Sequence, residues 1–130
     1  MCQYCEIHID GVWLHLKQGQ EFKTPDKIKS AAFSISLIDG NKIRIEPQGI
    51  HISRKSFVAS VHYLRIHNHY KDNPCRLDSN NDPALAGPLC MASREANHSV
   101  RCINYILPIL KSLDIVGLKG DRPNSTWLIC

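Results

Sequence analysis

The sequence predicts an α+β domain in which a β-hairpin-rich first half packs on a helical second half. Apolar residues recur at alternate positions through much of residues 7–52, take up a helical period near residue 54, and end in two short strand-like runs around a basic, proline-bearing tip. At 130 residues and 43% hydrophobic content, the chain is sized for one domain, with a β-rich part over 1–53 and a helical part over 54–130.

In chain order, "EIHIDGVWLHL" alternates around Ile7, Ile9, Val12 and Leu14 and predicts a strand. "FSISLIDGNKIRIEP" puts Phe33, Ile35 and Leu37 on one face, then Ile43 and Ile45 after Asp39-Gly40-Asn41. That is a hairpin in which Gly40 and Asn41 can take positive φ. "GIHIS" over 49–53 adds one more short strand.

The period then changes. Phe57, Val61 and Leu64 fall at i, i+4 and i+7, widened by Val58 and Ile66, and predict an amphipathic helix over 54–68 capped by Ser53 or Ser56. Residues 71–83 collect Asp, Asn, Ser and Pro and read as a long surface loop. "ALAGPLCMASREAN" predicts a short helix interrupted near Gly87-Pro88, and "SVRCINYILPILKSLD" a longer one that Pro108 kinks or breaks. "IVGLKG" and "STWLIC" pair as strands around "DRPN".

Composition narrows the function classes. No run approaches the roughly 18 apolar residues of a membrane helix, and the start lacks the pattern of a signal peptide. A cytoplasmic protein with reduced thiols and no membrane partner is expected. The net charge is +4, and all of the excess lies beyond residue 52, where a polyanion would dock.

Leu110, Leu113, Ile115, Val116 and Leu118 form a cadence that runs from a helix into a two-stranded tip over Lys119–Ser125. Over residues 54–130 this resembles winged-helix (winged helix-turn-helix) DNA-binding domains. The resemblance implies a double-stranded DNA partner, a reading helix whose amino end enters the major groove, and a wing that rides on the backbone. Carried onto this chain, the reading set is Asn97, His98, Ser99, Arg101 and Asn104, with Arg94 just before it. The wing contributes Lys119, Arg122 and Asn124. Arg and Asn suit bidentate contacts to guanine and adenine edges, whereas Lys119 and Arg122 suit phosphates. Trp127 is expected to anchor the wing against the helix. The expected function is sequence- or modification-specific recognition of duplex DNA without catalysis, cofactor or metal. With "TWLIC" reached without a polar tail, fusion to or association with a nuclease domain, or service in a regulator, fits that expectation.

Other constellations compete. "CQYC" at 2–5 has the spacing of half a zinc site, with His8, Cys75 or Cys90 needed to complete it. "HNHY" at 67–70 spells a nuclease motif, and a small metal-dependent nuclease using His67, His69 and Asp72 is the enzymatic alternative. Asp10 with "EFK" at 21–23 mimics another nuclease pattern, although "KQGQEFK" is polar for a buried strand. Tyr4, Trp13 and Phe22 could build an aromatic pocket for a flipped base. In a third reading, Arg101 and Arg122 of a protein-binding winged helix meet acidic partners.

Overall fold

The computed structural model describes residues 3–129, with side chains from Cys5 onward; Cys2, Cys130 and the Tyr4 side chain lie outside the described residues. Four helices and two antiparallel sheets make up the described fold, a four-stranded sheet in the first half and a three-stranded one shared along the second.

The chain begins with a helix, α1 (Gln3–His15), where the alternating pattern predicted a strand. Cys5, Ile9, Val12 and Leu16 are buried at spacings of four, three and four, the period of a helix face. Ile9 and Val12 belong to both patterns, but Ile7 and Leu14, which the strand needed, are 61% and 84% exposed. Trp13 fixes α1 to its neighbours. Its ring meets Phe57 edge-on at 5.1 Å, and its indole N–H donates to the Asp39 carbonyl at 2.7 Å.

Strands β1 (Glu21–Lys23), β2 (Ala32–Ile38), β3 (Lys42–Glu46) and β4 (Ile50–Ser53) form an antiparallel sheet in that order. The hairpin forms where expected but closes differently. Neither Gly40 nor Asn41 takes positive φ. Instead the Asp39 carboxylate accepts from the amides of Asn41 and Lys42 at 2.8 and 3.0 Å. Phe33, Ile35, Ile43, Ile45 and Ile52 face the core. Leu37 does not. The register slips between Ile35 and Leu37, so Leu37 turns outward and is 42% exposed.

Helix α2 (Arg54–Ile66) follows directly, its start capped by Ser53 Oγ, which accepts from the Lys55 amide at 3.1 Å. Phe57, Val58, Val61 and Leu64 are buried as the period predicts, while Ile66 is exposed. The expected loop over 71–83 contains β5 (Cys75–Arg76), too short for periodicity to detect. Gly87-Pro88 begins α3 (Pro88–Glu95) rather than interrupting it, with proline at the first helical position. A Cβ on Gly87 would stand 2.7 Å from that of Asp78, so the glycine permits close approach of the loop.

Helix α4 (Ile103–Ser112) starts later than expected because His98 and Ser99 take left-handed φ of 53° and 65°. Pro108 lies within it without ending it. Strands β6 (Val116–Lys119) and β7 (Ser125–Leu128) close the fold, giving a sheet of order β5-β7-β6. Trp127 packs over Gly117, its cross-strand partner, where an added Cβ would meet the indole at 2.2 Å. The indole thereby anchors the hairpin across β6. The two halves share a core, with Phe33 of β2 edge-on to Tyr105 of α4 at 5.2 Å.

Candidate nucleic-acid interface

The hairpin tip between β6 and β7 is not a free finger. The Gly120 carbonyl accepts from the Lys27 amide at 3.1 Å, and a Cβ on Gly120 would stand 2.5 Å from the Pro25 carbonyl. Two ion pairs cross the same junction, Lys27 with Asp121 at 3.3 Å and Arg122 with Asp26 at 2.7 Å. Arg122 uses both Nε and Nη2 on one Asp26 oxygen. The Arg122 hydrogen bond, with the Ile28 amide behind it, holds the Asp26 carboxyl below its ordinary value, and Asp26 in turn raises the Arg122 guanidinium.

This docking creates a recess of about 800 Å³ among four segments remote in sequence. Arg101 and Asn104 enter it from the start of α4, Arg122 and Asn124 from the tip, Lys29 from the β1–β2 loop, and Arg76 from the end of β5. The Leu77 amide donates to the Asn124 carbonyl at 3.1 Å and ties β5 to the tip. Arg76 also pairs with Asp78 at 3.2 Å. Lys29, Arg76, Arg101 and Arg122 outnumber Asp26 and Asp78 along the lining, so the recess is net cationic.

Its polar groups are incompletely paired. Ser79 Oγ, Arg101 Nε, Asn104 Oδ1 and Asn124 Oδ1 are buried and have no hydrogen-bond partner among the described residues. All four belong to residues that line this recess. A buried polar group left unpaired costs about 1–3 kcal/mol, so water or a ligand that pairs these groups is favoured here.

Of the nine residues expected at a DNA surface, Arg101, Asn104, Arg122 and Asn124 thus come together, although 18 to 23 positions separate the members of the two pairs in the chain. Lys119 is exposed at the end of β6, outside the recess lining. The others part from them. Arg94 is 4% exposed and donates to the carbonyls of Asn80 and Asn81, holding the loop before α3. Asn97 is 2% exposed; its amide oxygen accepts from the Ser53 amide at 2.8 Å and its nitrogen donates to the His51 carbonyl at 3.1 Å. Both belong to the interior and are withdrawn from the surface set. His98 and Ser99 are exposed in the left-handed turn, and His98 lines a different recess with Lys42, His51 and Lys55. Asp26, Lys29, Arg76 and Ser79 were missed, because only the folded loops bring them to α4.

Among the described residues, the competing constellations are not assembled as the sequence pattern would need. Among the described residues, no three of His, Cys, Asp or Glu stand close enough to hold a metal ion. Cys5 is buried in the core, and Cys2 lies outside the described residues. Burial pushes the Cys75 and Cys102 thiols up to about 11. His67 caps the end of α2 with its ring tilted against Tyr63 at 4.3 Å, while His69 Nδ1 is bonded to the Asn73 carbonyl at 2.8 Å. Asp10 sits on α1 in an ion pair with Arg54, and Glu21 and Lys23 are exposed on β1, so these carboxylates do not share adjacent buried strands. Trp13 packs on Phe57 and Phe22 on Phe33, and the Tyr4 side chain, the third member of the expected aromatic pocket, lies outside the described residues.

Among the described residues, no helix is long and apolar enough to cross a membrane. No family model matches the chain, and neither a curated protein nor a solved structure matches it.

Proposed function

We propose that the chain is a double-stranded DNA-binding module of winged-helix type, acting through recognition rather than catalysis. The observation that carries this reading is the convergence of Arg101, Asn104, Arg122 and Asn124 on one cationic recess joined by Lys29 and Arg76. The element order supports it as well. A helix, two further helices and a closing hairpin follow one another in the order that the resemblance implies, with the short strand β5 pairing the second hairpin strand.

In this reading Lys29, Arg76, Lys119 and Arg122 meet phosphates and set the position of the duplex. Arg101, Asn104 and Asn124 lie deeper and offer the donor and acceptor groups that distinguish bases. A role as the targeting part of a nuclease or of a regulator is compatible with this division of labour.

Asp26 competes with DNA for Arg122. Replacing Asp26 by Asn removes that competitor and one negative charge, and is expected to tighten duplex binding by up to about fivefold, the scale of one exposed ion pair. Electrophoretic mobility shifts of a labelled duplex at neutral pH, run for wild type and Asp26→Asn with magnesium present, make the test. Retardation without cleavage, stronger in the variant, is the expected result; turnover of the DNA would establish the nuclease reading instead. The pH dependence has a definite sign. Because the folded pKa of Asp26 is depressed, the clamp contributes fully above the ordinary value of 3.8 and is lost as pH falls through the lower folded value.

A further inference from the structure

The recess is concave, and this bears on what it can read. A major groove is itself a cleft about 8.5 Å deep, so its base edges are reached by a protruding helix or ribbon. Here the start of α4 is ringed by the β1–β2 loop, the segment after β5 and the hairpin tip. A paired base cannot enter such a ring without leaving its stack.

The unpaired groups narrow the ligand further. Two carboxamides, one hydroxyl and one guanidinium belong to residues that line the recess, their unpaired atoms shielded from solvent. Each amide offers both a donor and an acceptor, whereas a bare phosphate only accepts. A phosphate would satisfy Arg101 and leave amide oxygens unpaired; a nucleobase edge, which carries both kinds of group, satisfies all of them. Ser79, Asn104 and Asn124 carry their polar atoms on terminal rotors, so a turn about a side-chain bond presents them to a ligand. Pro25, Leu77 and Pro123 supply apolar walls against which a base face can lie.

We propose that this recess is a binding site for one unstacked nucleobase, read along its edge by Asn104, Asn124, Arg101 and Ser79, while the cationic rim holds the flanking backbone. The proposal rests on the DNA-binding reading, and the two can fail separately.

The experiment compares three labelled DNAs by fluorescence anisotropy at one salt concentration: a perfect duplex, the same duplex with a single bulged nucleotide (each of the four bases in turn), and one whose bulge is an abasic analogue. Wild type is expected to bind at least one bulged duplex about tenfold more tightly than the perfect one, within the range a bidentate base contact supplies. The abasic bulge is expected to return to the perfect-duplex level. Asn104→Ala and Asn124→Ala, checked for intact folding by circular dichroism, are expected to lose the bulge preference, binding base-bearing and abasic bulges alike. Equal binding of base-bearing and abasic bulges would overturn the proposal and leave duplex binding standing. No binding to any of the three at low salt would overturn both.

Discussion

Asn97→Ala is expected to destabilise the folded protein by about 2–4 kcal/mol, measured by urea unfolding. The Asn97 carboxamide is the pin between the loop before α4, the end of β4 and the start of α2. It accepts from Ser53, the residue that caps α2, and donates to His51 and Val100. Alanine would leave the Ser53 amide and the His51 carbonyl with no partner at a site only 2% exposed, and each such orphan costs about 1–3 kcal/mol. The effect should appear in stability, with duplex affinity of the still-folded fraction unchanged. A loss below about 0.5 kcal/mol, typical of a surface substitution, would mean that Asn97 is not the buried pin described here.

The second large effect concerns the rim. Changing Lys29, Arg76 and Arg122 together to Gln is expected to weaken duplex binding by about two orders of magnitude at low salt, and by a similar factor on every sequence, because phosphate contacts carry no sequence information. The fold should tolerate the change. Lys29 and Arg122 are exposed, and the ion pairs of Arg76 and Arg122 lie at the surface, where each is worth about 1 kcal/mol or less. Weakening confined to particular sequences would place these cations against bases instead.

These two predictions concern residues whose roles were unequally legible in the sequence. The β2–β3 hairpin, α2 with its Ser53 cap, and the closing hairpin follow from local signals, namely apolar period, a turn residue and a capping hydroxyl, and they form where expected. α1 was misread because Ile7 with Ile9, and Val12 with Leu14, each alternate locally; the exposure of Ile7 and Leu14 and the burial of Cys5 and Leu16 show the helical face. Leu37 was misplaced by a bulge, which reverses the facing of a strand without leaving a trace in residue type.

The site shows the same division. Arg101, Asn104, Arg122 and Asn124 could be grouped because each follows directly from the helix and hairpin that carry it. Arg94 and Asn97 could not be told from solvent-facing residues, since their partners are non-local, as far away in the chain as His51 and Ser53 for Asn97. The Asp26–Arg122 pair joins residues 96 apart, and neither loop signals the other. What local patterning cannot reveal here is which polar side chains the tertiary fold consumes internally.

The central claim is that a cationic recess at the start of α4 binds duplex DNA by neutralising phosphates along its rim. Its most direct test is the salt dependence of duplex affinity, measured by fluorescence anisotropy for wild type and for the Lys29, Arg76 and Arg122 triple variant. For wild type, log K is expected to fall linearly with log salt, with a slope flatter by about 2–3 units in the variant, close to one for each phosphate that its side chains no longer neutralise. Parallel slopes for the two proteins, or no binding by wild type at low salt, would contradict it.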